Sequence, residues 1–340
     1  MNGIEAIFQI IKNQNIDSHL EVFLSEVSNI EKLYFQASNH QLLPLLCNTI
    51  YDNDLKSYFD DDFLKAIKYF RDLNLERNEE ILKQINSISE ILTINNIDHC
   101  FLKGSAILIR NSYTNISSRM VGDIDILIDS YQLQNANNLL IKNNYKVFDI
   151  SPDPVYKSHR HLPRLVNKNF IAAVELHSYL LSSQQNLLIP ELVLAKKQKI
   201  NGKYTPSKEH LLFHNIFNSQ INDEAYYTWN FSLKALIDAL LFTNHKNISS
   251  SISQNNNKYI RRFWLNASLY INEIKIKPST FEKLKIKFLK FRYKFKVLNN
   301  LYLKLIFLWN RKHTFPLRAY YFIIDRNYRN YLLNKPLKFN

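Results

Sequence analysis

The chain is poor in the residues that punctuate or staple a small fold: four Gly, two Cys and two Met in 340 residues. Two cysteines do not make a disulfide framework, and neither Cys47 nor Cys100 stands in the spacing of a zinc-binding pair. Cys100 lies on an apolar run, so both are expected as buried thiols in a reducing compartment. No uncharged apolar run reaches the ~18 residues of a membrane-crossing helix. Met1-Asn2-Gly3-Ile4-Glu5 lacks the basic start and long apolar stretch of a signal peptide. These absences give the expectation of a cytoplasmic protein without a spanning segment. No internal repeat is visible, and the scarcity of Gly beside plentiful Asn and Lys says little about chemistry.

What is present suits a globular chain. Hydrophobic residues make up 46% of it, with 22 Phe and 20 Tyr, and its length can hold two or three structural units around a sizeable core. The net charge of +14 is unevenly placed. From Ile271 onward, 17 Lys and Arg face three acids, Glu273, Glu282 and Asp325, so the rest of the chain is close to neutral.

Hydrophobic spacing divides the chain into three. Residues 1–96 read as a helical segment: Ile4, Ile7, Phe8 and Ile11, then Leu20, Phe23, Leu24 and Val27, keep helical spacing. Asp60-Asp61-Asp62 suits the start of a long helix over Leu64–Asn95, where acids meet the positive end of the dipole. Residues 97–200 alternate strands (Cys100–Leu102, Asp123–Ile128, Lys146–Asp149, Ala172–Leu176) with helices (Ala106–Arg110, Tyr131–Asn143), which argues an α/β core. Pro152-Asp153-Pro154 marks a loop ahead of a polar cluster, His159, Arg160, His161 and Arg164. Residues 201–340 return to helix, with a polar connection at Asn244–Asn257 and a basic amphipathic tail. The fold class expected is α+β, a small mixed sheet flanked by helical segments.

Within the middle segment, Leu102-Lys103-Gly104-Ser105 is followed by Arg119-Met120-Val121-Gly122-Asp123-Ile124-Asp125-Ile126-Leu127. Alternate side chains of a strand share a face, so Asp123 and Asp125 point one way and Ile124 and Ile126 the other. Two hard oxygen donors on one strand make a natural Mg²⁺ site. Glu175, in Ala172-Ala173-Val174-Glu175-Leu176-His177, is the third candidate ligand, on a neighbouring strand. Gly104 and Ser105 open a helix after a strand, where free N–H groups favour phosphate.

The Gly-Ser turn, the Asp-Ile-Asp strand and the third carboxylate resemble the DNA polymerase β-type nucleotidyltransferase superfamily. Phe101-Leu102-Lys103-Gly104, Arg119, the Asp strand, Val174-Glu175-Leu176-His177 and Thr205-Pro206-Ser207-Lys208-Glu209-His210-Leu211-Leu212-Phe213-His214, with Lys234 and Asp238 beyond, follow in order. This longer frame resembles the bacterial group of uncharacterised nucleotidyltransferase family proteins. The resemblance implies transfer of an NMP from an NTP, such as ATP, to an acceptor with release of pyrophosphate. It implies Asp123, Asp125 and Glu175 as metal ligands and catalytic residues, in a two-metal Mg²⁺ site with Mn²⁺ as the alternative ion. Lys103, Gly104, Ser105, Arg119 and His177 are the nucleotide-binding candidates, and the helices carrying His214 and Asp238 would pack over the cleft. The acceptor could be a small molecule, a protein hydroxyl or an RNA 3′ end.

Other readings remain open at this level. Lys103 and Arg119 can serve surface or ion-pairing roles, and Lys234 with Asp238 reads as a helix i, i+4 pair. His159, His161 and Glu175 could in principle take Zn²⁺, although no Cys joins them and the Asp pair favours a harder ion. The fold could serve a non-catalytic nucleotide- or RNA-binding module. In the tail, Leu284, Phe288, Phe291, Phe295 and Leu298 form an apolar stripe among many Lys and Arg over 283–296. Such a stripe docks on the core, serves an anionic polymer such as tRNA, or lies on an acidic membrane surface, as a peripheral or scaffold protein would.

Overall fold

The computed structural model describes residues 2–12, 16–148, 160–243 and 257–334. His159, the Pro152-Asp153-Pro154 loop and most of the Asn244–Asn257 connection lie outside the described residues. Helices α1 (Gly3–Lys12), α2 (Ser18–Leu24), α3 (Val27–Asn39) and α4 (Leu43–Asp52) form the N-terminal segment, and of the positions that the spacing marked they bury Ile7, Phe8, Leu20, Phe23 and Leu24. Ile4 and Ile11 are half-buried, and Val27, at the first turn of α3, is exposed instead. The long helix α5 (Asp61–Ile94) begins where the acidic run places it. The Asp60 carboxylate accepts the Phe63 N–H at 2.7 Å, while Asp61 and Asp62 occupy the first turn.

The sheet follows. Strand β1 (His99–Phe101) leads into α6 (Lys103–Ile109), β2 (Asp123–Ile128), α7 (Leu133–Lys142), β3 (Lys146–Val147), β4 (Leu165–Val166) and β5 (Ala173–His177). The five strands run in the order β1-β2-β5-β4-β3. The β2–β5 pair is parallel and the others are antiparallel. After α8 (Pro190–Ala195), a hairpin of β6 (Gln198–Ile200) and β7 (Lys203–Thr205) turns at Asn201-Gly202, both at positive φ, as a tight two-residue turn requires. The fold is α+β, a mixed sheet flanked by helices.

The C-terminal helices are α9 (Lys208–Phe217), α10 (Ala225–Thr228), α11 (Leu233–Leu240), α12 (Lys258–Ala267), α13 (Thr280–Lys294), α14 (Lys296–Arg311), α15 (Phe315–Ile324) and α16 (Arg326–Asn334). The sheet separates two cores. Ile124, Ile126 and Ile128 of β2 pack with Ile81, Ile85 and Ile88 of α5. Leu127, on the opposite face, joins Cys100 and Leu102 in the core shared by the first helices and α9, α11 and α12. Both cysteines are buried thiols, and burial pushes Cys47 up to about 11.

The face of α5 turned to the sheet also carries polar groups, buried at Asn78 and Gln84 and partly buried at Arg77. Asn78 Nδ2 donates to the carbonyls of Ile116 and Arg119 at 2.7 and 2.8 Å. Arg77 donates to the carbonyls of Val121 and Gly122 at 2.9 and 2.8 Å. Gln84 exchanges a pair of hydrogen bonds with the backbone of Ala172 at 2.9 and 3.1 Å. One helix thereby fixes the chain entering β2 and the chain entering β5. Asn78→Ala leaves two carbonyls without their donor at a fully buried position. It should cost roughly 1–3 kcal/mol, read as a lowered urea midpoint with an unchanged slope.

Candidate functional site

The parallel register of β2 and β5 sets Asp125 opposite Glu175, Asp123 opposite Ala173 and Leu127 opposite His177. Side chains two apart on a strand share a face, so Asp123, Asp125, Glu175 and His177 gather on the face turned away from α5. His177 Nε2 lies 2.9 Å from Asp125 Oδ1 and 3.3 Å from Glu175 Oε2. One carboxylate oxygen each from Asp125 and Glu175, with the His177 nitrogen, lie within 4.8 Å of one another, a set able to hold a cation. Asp123, expected with the two carboxylates as a ligand, is not in this set and stands nearer the opening.

Cations surround the acids. Lys103 Nζ donates to Asp125 Oδ1. Arg164 donates Nε–H to Glu175 Oε1 at 2.6 Å and places a second nitrogen 3.7 Å from Asp123 Oδ2, spanning both strands. His161, bridged to His177 across the backbone, has Nε2 at 3.7 Å from Glu175 Oε2. Burial opposes the charge on Asp125, but Lys103 and the His177 hydrogen bond outweigh it and hold the carboxyl well below the usual range. The same contest leaves Glu175 at about 2, with His177 the chief stabilising partner. Asp123 moves the other way: burial, then repulsion from Asp125, raises it.

The strand-to-helix turn is strained. Lys103 adopts φ +47°, the left-handed region that side chains avoid, and its ammonium reaches Asp125 from there. A Cβ on the next residue, Gly104, would meet both methyls of Val121 at 3.1 Å, so the turn can approach the β2 loop closely because that residue is Gly. Ser105 is fully buried, and its hydroxyl faces the Asp123 carbonyl at 3.5 Å.

Asp123 and Asp125 open onto a cavity of about 330 Å³ between the sheet, α9 and α11. Lys103, Gly104 and Arg119 line it, whereas Ser105, Glu175 and His177 are not among its lining residues. Arg119 is committed elsewhere: its Nε lies 3.0 Å from both Asp238 oxygens and a terminal nitrogen 2.8 Å from one. Tyr113 adds its hydroxyl to Asp238 at 2.7 Å. The i, i+4 pair expected of Lys234 and Asp238 is therefore not made. Asp238 turns inward to the buried guanidinium, and Lys234 donates to Gln41 instead.

Sequence reasoning singled out neither Gln41 nor Asp223, both of which line the cavity. No motif flags them, because they come from the α3–α4 turn and from the end of a π-helical turn (Asn218–Asn222) that only the packing brings to the sheet. His214 is fully buried in the wall, and burial, then Lys103, pulls it down to about 3, so its imidazole is neutral at ordinary pH. Burial, with Arg119 adding to it, lowers Lys234 to about 8.

A family model described as an uncharacterised nucleotidyltransferase matches residues 26–274. The chain belongs to that family, and its chemistry is nucleotidyl transfer. No curated protein matches the chain.

The Arg119–Asp238 pair gives a direct test of the cavity wall. Asp238→Ala leaves a buried guanidinium without its partner and should lose about 3–5 kcal/mol in chemical denaturation. Arg119→Met with Asp238→Leu should recover most of that loss. Equal stability of Asp238→Ala and wild type would mean that the pair does not tie α11 to the loop before β2.

Proposed function

We propose that this member of the uncharacterised nucleotidyltransferase family is a divalent-metal-dependent enzyme that moves an NMP from an NTP to a hydroxyl acceptor. The observation that carries the reading is one cavity in which two carboxylates of a single strand face the ammonium groups of Lys103 and Lys234. Asp123 and Asp125 are hard oxygen donors, and Asp125 is held ionised as a ligand must be, so the residues fit Mg²⁺, with Mn²⁺ as the alternative. A bound ion there would neutralise triphosphate charge and polarise the α-phosphate. Glu175 completes the carboxylate set from the adjacent strand and, with Arg164, fixes the orientation of His177. At about 2 its carboxyl is a poor proton acceptor at neutral pH, which favours that holding role over general-base work.

The protein's own groups act on the triphosphate by position and charge. Lys103 and Lys234 meet the phosphate oxygens, and Gly104 lets the backbone approach them. The acceptor hydroxyl oxygen bonds to the α-phosphorus as its proton passes to water, the bond to the bridging oxygen breaks, and pyrophosphate leaves with that electron pair. Ser105, Arg119 and His177 serve from behind this surface, holding Asp123, α11 and Asp125 respectively. The acceptor classes are a small molecule, a protein hydroxyl and an RNA 3′ end.

Two measurements test the reading. With each of the four labelled NTPs and Mg²⁺, wild type incubated with cell extract should transfer label into one pool of RNA, protein or small molecules. Asp123→Asn with Asp125→Asn should lower transfer by roughly 10²–10³-fold or more, while far-UV circular dichroism stays unchanged. Full transfer by the double variant would remove these carboxylates from the reaction. Lys234 loses its proton as pH rises through about 8. NTP affinity should then fall roughly tenfold between pH 7 and pH 9. Lys234→Arg, charged throughout, should flatten that profile, and calorimetric titration that finds it unaltered would remove Lys234 from the phosphate site.

A further inference from the structure

Beyond the cavity, the C-terminal helices carry a surface that nothing in nucleotidyl transfer requires. Of the three readings open for the apolar stripe, docking on the core is not the one that its burial supports. Leu284, Phe288, Phe291 and Phe295 are exposed, and the buried positions of α13 are Leu289 and Arg292. Phe295 has extended backbone and separates α13 from α14, so the periodicity that would continue the stripe is broken there. Neither α14 nor α15 has any buried residue. Of the 37 large hydrophobic side chains that stand exposed among the described residues, 20 fall within Thr280–Asn334. They include aliphatic groups, such as Leu305, Ile323 and Leu333, as well as Trp309. Exposed apolar side chains in this number on one run of helices mark an interaction site.

The charge on the same helices says what covers it. Thr280–Asn334 contains 13 Lys and Arg against two acids, Glu282 and Asp325. Glu282 is already paired with Arg261, so almost all of the positive charge is left uncompensated by this segment's acids. We propose that α13–α16 form an interfacial platform that docks on an anionic lipid bilayer, apolar side chains in the acyl boundary and Lys and Arg at the headgroups. Aliphatic and aromatic groups beside cations are the composition of helices that lie in a membrane interface. Nucleic acid is met by cations and stacking rings, and offers nothing to Leu305, Ile323 or Leu333. No helix among the described residues is long and apolar enough to cross a membrane, so the platform lies on the surface.

Where α13 and α14 meet the body, a second cavity of about 280 Å³ combines Arg262, Lys285 and Arg292 with Trp229, Phe288 and Leu289. Arg292 is 1% exposed; one of its nitrogens donates to the Thr228 carbonyl at 2.8 Å, and its Nε is buried without a partner. A cationic pocket with apolar walls suits a lipid phosphate whose chains continue along the platform.

Trp229 and Trp264 are buried and Trp309 is 62% exposed, so a shift in tryptophan emission reports on α14. The full chain would be mixed with vesicles of phosphatidylcholine alone and of phosphatidylcholine with phosphatidylglycerol, then floated on a density gradient. The expected result is flotation and a blue shift with the anionic vesicles, both weakened by salt. Lys290→Glu, Lys294→Glu, Lys304→Glu and Lys312→Glu combined should reduce partition by well over tenfold, each basic residue near such a surface being worth roughly fivefold. Leu305→Ser with Ile323→Ser should do so too while leaving the fold intact, because every altered residue is exposed. Absence of flotation with anionic vesicles overturns the proposal, as does flotation that neither variant changes. So does binding of single-stranded RNA by wild type in place of vesicles, or a dimer by light scattering that buries Trp309 and ignores lipid.

Discussion

The arrangement depends first on the carboxamide and guanidinium face of α5. A long helix packed on a sheet is ordinarily held by apolar contact alone, and Ile81, Ile85 and Ile88 supply that here. Apolar contact is non-directional, so it can seat the helix without fixing strand heights. Asn78 and Arg77, on the chain entering β2, and Gln84, on the chain entering β5, are directional and buried or partly buried. A one-residue slip of β2 against β5 would turn the Asp face toward the core. Fixing both strand entries from one rigid helix prevents it, and Asp125 and Glu175 meet in register as a result.

Around those carboxylates the protein balances charge at short range. Burying acids on adjacent strands is costly unless each is paired. Asp125 has Lys103 and His177; Glu175 has Arg164 and both histidines. Asp123, nearer the opening, is raised rather than lowered. The strained backbone at Lys103 belongs to the same balance, since that conformation delivers an ammonium to the most buried acid. The result is a face of acids in which Asp125 and Glu175 are closely partnered, while Asp123 and Asp125 meet the cavity.

The two ends of the chain do different work. The N-terminal helices share a core with α9, α11 and α12, and that core carries the cavity's far wall. The last helices add almost nothing to it. Local periodicity could not distinguish these cases: the stripe in 284–298 has the spacing of a docking helix. Whether a stripe finds a partner depends on whether a complementary face exists, which no local pattern contains.

The sequence by itself determined the local elements and the chemistry they carry. The acidic run opened α5, the Asp-Ile-Asp alternation gave β2 with its acids on one face, and the ordered motifs pointed to the family. These were legible because caps and strand alternation are short-range properties of the chain. The tertiary structure decided what each charge faces. Arg119 and Asp238, 119 positions apart, became partners, and Lys234 turned to Gln41, 193 positions away. Asp223 and Gln41 reached the cavity from loops without a motif. Hydrogen bonds and ion pairs act over a few ångströms of space irrespective of chain separation, so the pairing of charges is set by packing and cannot be read along the chain.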